Sequence, residues 1–511
     1  MCGIASLYSD PTRPEPLDTV AEGVPMLSRI AHRGPDDRDH RTIGHHAWLG
    51  HTRLSIVDLD GGRQPLSSPD DGWSLVCNGE IYNHTHLRHH LGEGHFSTDS
   101  DSEAALVLLR KHGPQALKEL QGMWALCAAA PDGRFVAARD RLGIKPLYWA
   151  RDDTLVYFAS ELRAFPEAMQ PAAEIFPPGC YWTPQDGLVR FADTIPENNE
   201  RPWGTAAGED AQKATREVLV SSVHRHLMAD VDVGVFLSGG LDSSLVAAVA
   251  AAEYAKSGKR LKTFAVGTAG SPDLLAARDA AAFLGTEHHE TVFDAAQAIA
   301  VLEEVVASVE SFDASLIRSA VPNWFLAELA SQHVKAVLTG EGADELFAGY
   351  GYYHRDHTDP DDLNRELQRT LEQLHGLNLQ RCDRVTMAHG LEARVPFLDA
   401  EVIAHAMTLP PQVKALEPDG MEKGHLRRAF TGWLPERLLW RRKVQFGTGS
   451  GAQDLLTPHF ETRISDTELA AAQKTSCEDL RSKEELAYYR AFRQALPAVR
   501  TEAVLTRFAT A

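Results

Sequence analysis

Hydrophobic and polar positions follow two rhythms along the chain. Up to about residue 190, short β-type runs such as 47–50, 73–77, 134–138 and 155–159 are broken by Gly, Pro, Asn and Asp. That punctuation predicts stacked antiparallel sheets. One amphipathic helix is expected among them over 102–112, with Asp101 as N-cap and Glu103 in its first turn. Residues 196–210 show no period and read as a linker. Beyond it, continuous apolar strands alternate with helices. The run 233–237 passes through a Gly-Gly turn into an Ala-rich helix from Leu241, and 263–267 leads to a helix over 274–284. A third unit joins 334–338, a Gly-rich turn and a helix over 344–350. Such alternation builds βαβ units on a mostly parallel sheet. The resulting boundaries are 1–195 for the first domain, 196–210 for the linker and 211–511 for the second domain. The segment 355–374 is dense in charge and is expected to be an exposed helix or mobile loop.

Composition narrows the class. Hydrophobic residues at 43% and charged residues at 24% are globular averages. The 71 acidic against 51 basic residues leave a net charge of −20. That balance argues against general binding to nucleic acid or anionic membranes, while leaving room for a local basic pocket for phosphates. The most apolar stretch, 233–252, is interrupted by Ser238, Asp242 and Ser243, so no run reaches the ~18 residues of a membrane helix. No basic-then-apolar leader opens the chain, and secretion is not expected. Cysteines 2, 77, 127, 180, 382 and 477 are dispersed without a Cys-x-x-Cys pair. This excludes a disulfide scaffold and a Cys-rich zinc site and suits a reducing cytosol. His288 and His289 are adjacent, diverge in direction and lack a third ligand in register, so they read as structural.

The chain opens Met-Cys-Gly-Ile. Loss of Met1 would leave Cys2 with a thiol and an α-amine, and an amine of pKa about 7.7–8.0 can accept the thiol proton. Alone, Cys2 reads more simply as a buried apolar side chain. Three polar clusters change that reading: His32-Arg33-Gly34-Pro35-Asp36, His51-Thr52-Arg53-Leu54-Ser55-Ile56-Val57-Asp58 and Asn78-Gly79-Glu80-Ile81-Tyr82-Asn83. With Cys2 and Asp101, they resemble the class II glutamine amidotransferase domain over about residues 2–190. The resemblance implies an N-terminal-nucleophile hydrolase fold, an αββα sandwich, with Cys2 attacking the glutamine carboxamide. It implies an oxyanion hole from the Asn78 side chain and the Gly79 N–H. Arg53 would take the glutamine α-carboxylate and Asp101 its α-ammonium, with Glu80 in the same binding set. Arg33 and Asp36 are expected to brace the site.

In the second half, Leu237-Ser238-Gly239-Gly240-Leu241-Asp242-Ser243-Ser244 runs a buried strand through two glycines into a helix. Free backbone N–H groups at a positive helix end make an anion site. The Lys of a Walker A loop is missing. The motif resembles the pyrophosphate loop of enzymes that cleave ATP to AMP and pyrophosphate. That implies an α/β parallel-sheet ATP-pyrophosphatase domain, with Ser238, Gly239, Gly240 and Ser243 around the pyrophosphate and Asp242 on Mg²⁺. A second loop, Thr339-Gly340-Glu341-Gly342-Ala343-Asp344-Glu345, should converge on the same crevice, letting Asp344 share the metal. Glu341 matches a family carboxylate used in forming the acyl-adenylate. Leu237, Val266 and Gly340 would face adenine, with Thr339 in the nucleotide set. Lys443, in Arg442-Lys443-Val444-Gln445-Phe446, would neutralise charge on the α-phosphate or a later tetrahedral intermediate.

Both halves together resemble the glutamine-hydrolysing asparagine synthetase family over nearly the whole length, thinning after about residue 455. The resemblance implies that aspartate, ATP and glutamine give asparagine, AMP, pyrophosphate and glutamate. An enclosed, largely apolar passage between the sites is expected to carry neutral ammonia. Two departures stand out: Ala343 replaces the usual Ser, and Gly447-Thr448-Gly449-Ser450-Gly451 replaces a polar run containing Asp. The second is expected to border the acceptor, so amidation of another small carboxylic acid stays open. Arg318, in Ile317-Arg318-Ser319, is the expected partner of the acceptor carboxylate. The expected partners are glutamine, aspartate or a related small carboxylate, and ATP, without nucleic acid or membrane. A second copy of the chain is the one protein partner expected.

Overall fold

The computed structural model describes residues 2–10, 19–196, 208–476 and 478–508. Most of the expected linker, and Cys477, lie outside the described residues. Two six-stranded antiparallel sheets build the first half. At the centre of one, Gly3–Ser9 pairs with Ala47–Arg53 and Leu155–Ala159. In the other, Ser74–Ile81 pairs with Gly122–Ala129. Side-chain alternation sorts the layers. Ile4 and Tyr8 join Leu49, Val76, Cys127 and Phe158 between the sheets, while Ala5 and Leu7 pack with Met26 and Leu27 of the Thr19–Arg29 helix and with Ile30 just after it. On the far side, Leu75, Cys77 and Ile81 meet Leu106 and Leu109 of the Glu103–His112 helix. The αββα sandwich is therefore present. One detail differs from expectation. Ser102, not Asp101, is the N-cap, and no side chain caps the helix. The Asp101 carboxylate accepts the Ile81 N–H instead, at 2.6 Å, because the neighbouring strand offers a buried donor within reach.

The second half holds a five-stranded parallel sheet. Its order is Glu287–Val292, Lys262–Gly267, Val233–Phe236, Ala336–Leu338, Glu392–Arg394. The chain moves outward from the central strand to one edge, then returns to the other side. The switch lies between Val233–Phe236 and Ala336–Leu338, where loops at the carboxyl ends leave a crevice. Helices cover both faces, as an all-parallel sheet requires. Val235 and Leu338 pack with Leu245 and Val249 of Leu241–Lys256; Phe264 and Val337 pack with Leu316 and Ala320 of Ala314–Ser331. The expected helix over 344–350 stops at Phe347, where Ala348 turns to φ +52°. The charge-rich 355–374 segment is no exposed loop. Its helix Pro360–Gln373 buries Leu363, Leu367 and Leu371, an i,i+4 stripe that its charge hides, and the first two pack with Ala348 and Tyr353. Among the described residues no helix is long and apolar enough to cross a membrane.

Candidate active sites

Strand alternation puts Cys2 on the Ile4 face of one sheet and Asn78 on the Val76 face of the other, so both enter the gap between sheets. Three hydrogen bonds pin the chain start. The N–H groups of Cys2, Gly3 and Ile4 donate to Asn78 Oδ1 (3.0 Å), Thr52 Oγ1 (3.1 Å) and Ser160 Oγ (3.0 Å). The Cys2 carbonyl accepts from Arg33 Nε at 3.0 Å. Burial pushes the Cys2 thiol up, so its thiolate needs a nearby base. With Asn78 Oδ1 engaged, Nδ2 is left buried without a partner among the described residues. An unmet buried donor costs about 1–3 kcal/mol, and here it marks a place for an acceptor that the fold does not supply. Gly79 has φ +150°, and a Cβ would lie 2.0 Å from the Met123 carbonyl oxygen; only glycine fits.

The other expected glutamine contacts surround this gap. Carbonyls of Val57 (3.2 Å), Asp58 (2.6 Å) and Leu59 (3.0 Å) fix the Arg53 guanidinium. Burial pushes the Asp101 carboxyl up to about 6. Burial, then neighbouring Glu392, raises Glu80, whose carboxylate lies 3.3 Å from Arg394 of the second half. Asp36 accepts from Ser55 N–H at 2.7 Å and Lys335 Nζ at 2.6 Å, a bracing contact as expected. The five described cysteines are buried and free.

At the second site, Val233–Phe236 ends in a loop and the Leu241–Lys256 helix begins without a side-chain cap. Its first N–H groups face the crevice side that suits an anion. Ser238 Oγ and Ser243 Oγ lie 3.1 Å apart, and Gly239, at φ +70°, abuts the Ala276 main chain. Gly340 brings the second loop against the first, since a Cβ there would sit 2.9 Å from Asp242 Cβ. A cavity of about 480 Å³ opens here, a size typical of small-ligand sites. Leu237, Ser238, Gly240, Asp242, Ser243 and Val266 line it, as do Thr339, Gly340, Glu341, Asp344 and Lys443. Gly239 alone of the expected nucleotide set is turned away from it.

Two residues at the heart of this site escaped the sequence reading. Lys423 Nζ reaches both Asp242 oxygens at 2.7 Å and Asp344 Oδ1 at 2.5 Å. Arg381 pairs with Glu341 and donates to Ser319 Oγ at 2.8 Å. No local pattern marks Lys423; Arg381 had one signal, three charged residues in four over 381–384. Lys443 also pairs with Asp344. Against the upward push of burial, Lys423 and Lys443 hold Asp344 well below the usual carboxylate range. Asp242 and Asp344 thus already converge on one cation, Lys423, beside the 238–243 loop. Two hard oxygen groups so placed fit Mg²⁺, which takes one or two carboxylates along with phosphates. Next door, burial and then Asp344 and Glu341 push Glu345 up to about 7, with Tyr350 Oη donating to it at 2.8 Å.

Toward the acceptor end, Arg318 lines the cavity, its Nε and Nη2 donating to Glu484 at 2.9 and 2.7 Å. Gly447 lies beside it and lines the same cavity, whereas Gly449 and Gly451 pack on Asp273 and Thr268. His288 contacts Thr263 Oγ1 at 3.0 Å, and His289 stacks on His333 at 4.0 Å. Both are structural, and no cluster of three or more His, Cys, Asp or Glu residues suited to a metal occurs among the described residues.

Comparison with known proteins matches residues 1–179 to the glutamine amidotransferase domain, and 214–360 with 355–506 to asparagine synthase. The chain belongs to the asparagine synthase family. Among similar members, asparagine synthetase [glutamine-hydrolyzing] 3 of Arabidopsis thaliana is 38% identical over 91% of this chain and 83% of its own length. A probable asparagine synthetase [glutamine-hydrolyzing] of Schizosaccharomyces pombe is 38% identical over 96% and 92%. Asparagine synthetase B [glutamine-hydrolyzing] of Escherichia coli is 36% identical over 93% and 87%.

Proposed function

We propose that this member of the family makes asparagine from aspartate and ATP, taking its nitrogen from glutamine. The observation that carries the reading is the unmet Asn78 Nδ2 beside Cys2, in a chain that also holds a phosphate cradle beside two convergent carboxylates. An acceptor other than aspartate has no observation in its favour. Arg53 and Asp101 would hold the α-carboxylate and α-ammonium of glutamine. The Cys2 sulfur attacks the carboxamide carbon while the freed α-amine takes the thiol proton, and Asn78 Nδ2 donates to the developing oxyanion. Collapse expels ammonia and leaves a thioester, which water hydrolyses to glutamate.

In the second site the aspartate side-chain carboxylate attacks the α-phosphorus, pyrophosphate leaves, and ammonia displaces AMP from the acyl carbon. Ser238, Gly240 and Ser243 would hold the pyrophosphate, with Leu237, Val266, Thr339 and Gly340 around the nucleoside. Asp242 and Asp344 would hold Mg²⁺, which supplies neutralisation of phosphate charge. Lys443 would face the α-phosphate, Glu341 would act in adenylate formation and Arg318 would orient the acceptor. A reducing cytosol suits the five free thiols; a homodimer remains an expectation of the sequence.

Cys2→Ala tests the glutamine half. Glutamine should fail as donor, with the loss reaching several orders of magnitude. Free ammonium at alkaline pH should still yield asparagine, because the second site is chemically complete. Glutamine-dependent synthesis by the variant would remove Cys2 as nucleophile.

A further inference from the structure

Arg33 is fully buried and lies one hydrogen bond from the Cys2 main chain. Its remaining donors are shared between the two halves. Nη1 donates to Glu161 Oε1 at 2.8 Å, and Nη1 and Nη2 fork onto Asp383 Oδ2 and Oδ1 at 2.8 and 3.1 Å. Glu161 meets Arg33 at one oxygen and is shared with His32 and Arg163, while Arg384 approaches both carboxylates, Glu161 at 3.9 Å and Asp383 at 3.5 Å. Asp383 supplies the two-point contact, and a two-point contact fixes the plane of a guanidinium. That plane aims Nε at the Cys2 carbonyl. Asp383 stands on Asn378–Met387, a helix of the second half buried along its whole length, while its neighbours Arg381 and Cys382 line the nucleotide cavity.

We propose that Asp383 is a positioning residue for the glutamine reaction: through Arg33 it sets where the Cys2 main chain, and so the nucleophile and its amine, sits opposite Asn78 Nδ2. The glutaminase is then incomplete without a residue of the synthetase half. Arg53 and Asp101, which would bind glutamine, make no contact with this pair, so the effect belongs to the chemical step and not to binding. The inference rests on Cys2 as nucleophile.

Asp383→Asn and Asp383→Glu, in the full chain, test it through glutamine hydrolysis and ammonium-dependent synthesis. For Asp383→Asn, kcat for glutamine should fall by about tenfold or more, while KM for glutamine and ammonium-dependent synthesis stay within about twofold, as a displaced reacting group requires. Asp383→Glu keeps the buried charge and should fall between Asp383→Asn and the parent chain. A parent-like kcat in either soluble variant overturns the proposal. So does a parallel loss of ammonium-dependent synthesis, or insolubility of both variants, each of which makes the residue merely structural. Cys2→Ala in the same assay separates the two readings. Hydrolysis surviving in Cys2→Ala sinks the nucleophile itself, whereas a dead Cys2→Ala beside an unaffected Asp383→Asn sinks only Asp383.

Discussion

The Asp101 carboxyl is a titrating group among the residues proposed to bind glutamine. Burial lifts it to about 6 while the Ile81 N–H still holds one oxygen. Only its ionised form can pair with the glutamine α-ammonium. The value for the free enzyme governs kcat/KM. The freed α-amine, of pKa about 7.7–8.0, must also be unprotonated, so kcat/KM for glutamine should fall about tenfold per pH unit below about 8 and about a hundredfold per unit below about 6. Asp101→Asn should lower kcat/KM by about a hundredfold at neutral pH, the scale of one lost charge-assisted contact, and should remove the added steepness below about 6. Added steepness that persists in the variant would assign that titration elsewhere. Asn78 gives the complementary lesson. Its identity was readable in the motif, but which of its atoms is reserved for substrate became visible only when the Cys2 N–H was seen to occupy the other.

At the scale of elements, the second site depends on two loops meeting at the switch of a parallel sheet, with a third segment closing over them. The strand and Gly-rich turn of each loop were legible because a buried strand running into glycines and a helix has few other readings. Lys423 was not, since it arrives from a segment with no period and acts only by proximity. Gly349 makes room for it. A Cβ there would lie 1.9 Å from Asp344 Oδ1 and 2.2 Å from Lys423 Cε. Gly349→Ala should therefore cut ammonium-dependent synthesis by about a hundredfold through misplaced carboxylate and amine. Glutamine hydrolysis, in the other sandwich, should be spared. Steady-state assays of both reactions decide it, and unimpaired synthesis would show that the loop adjusts freely.

For the molecule as a whole, stability carries one conspicuous burden. Lys414 is 1% exposed; among the described residues its one hydrogen-bond partner is Met407 Sδ at 4.0 Å and no carboxylate pairs with it. His405 and His425 lie close by and add no negative charge. Burial lowers the amine from 10.5 to about 7. Between those values the unfolded chain binds a proton that the folded chain has released, so stability rises with pH across that window; below about 7 the penalty is complete. The cost at neutral pH is on the order of a few kcal/mol. Lys414→Met should raise the thermal unfolding midpoint by several degrees at pH 7, with the gain fading as pH nears about 10. An unchanged midpoint at pH 7, or a gain constant to pH 10, would refute the assignment.

Sequence alone determined the two sheet types and their order along the chain, and its resemblances named most of the residues that the fold gathers at the two candidate sites. It could do so because side-chain alternation, buried parallel strands and Gly-rich turns are local, and because the chemical motifs sit within a few residues of the strands that aim them. Over 355–374 it allowed an exposed helix or a loop; a helix formed, but surface charge had masked its buried leucine stripe. It assigned Asp101 to a helix cap that the adjacent strand displaced. Tertiary structure decided what distance along the chain conceals. Lys423 bridges Asp242 and Asp344, Arg381 takes Glu341, and Asp383 reaches Arg33 across 350 residues. Each is an ion pair between segments that no periodicity relates. Such pairs form only after the sheets have brought their carriers together, Arg33 with Asp383 buried and the others partly buried around the cavity, where leaving one charge unpaired is costly.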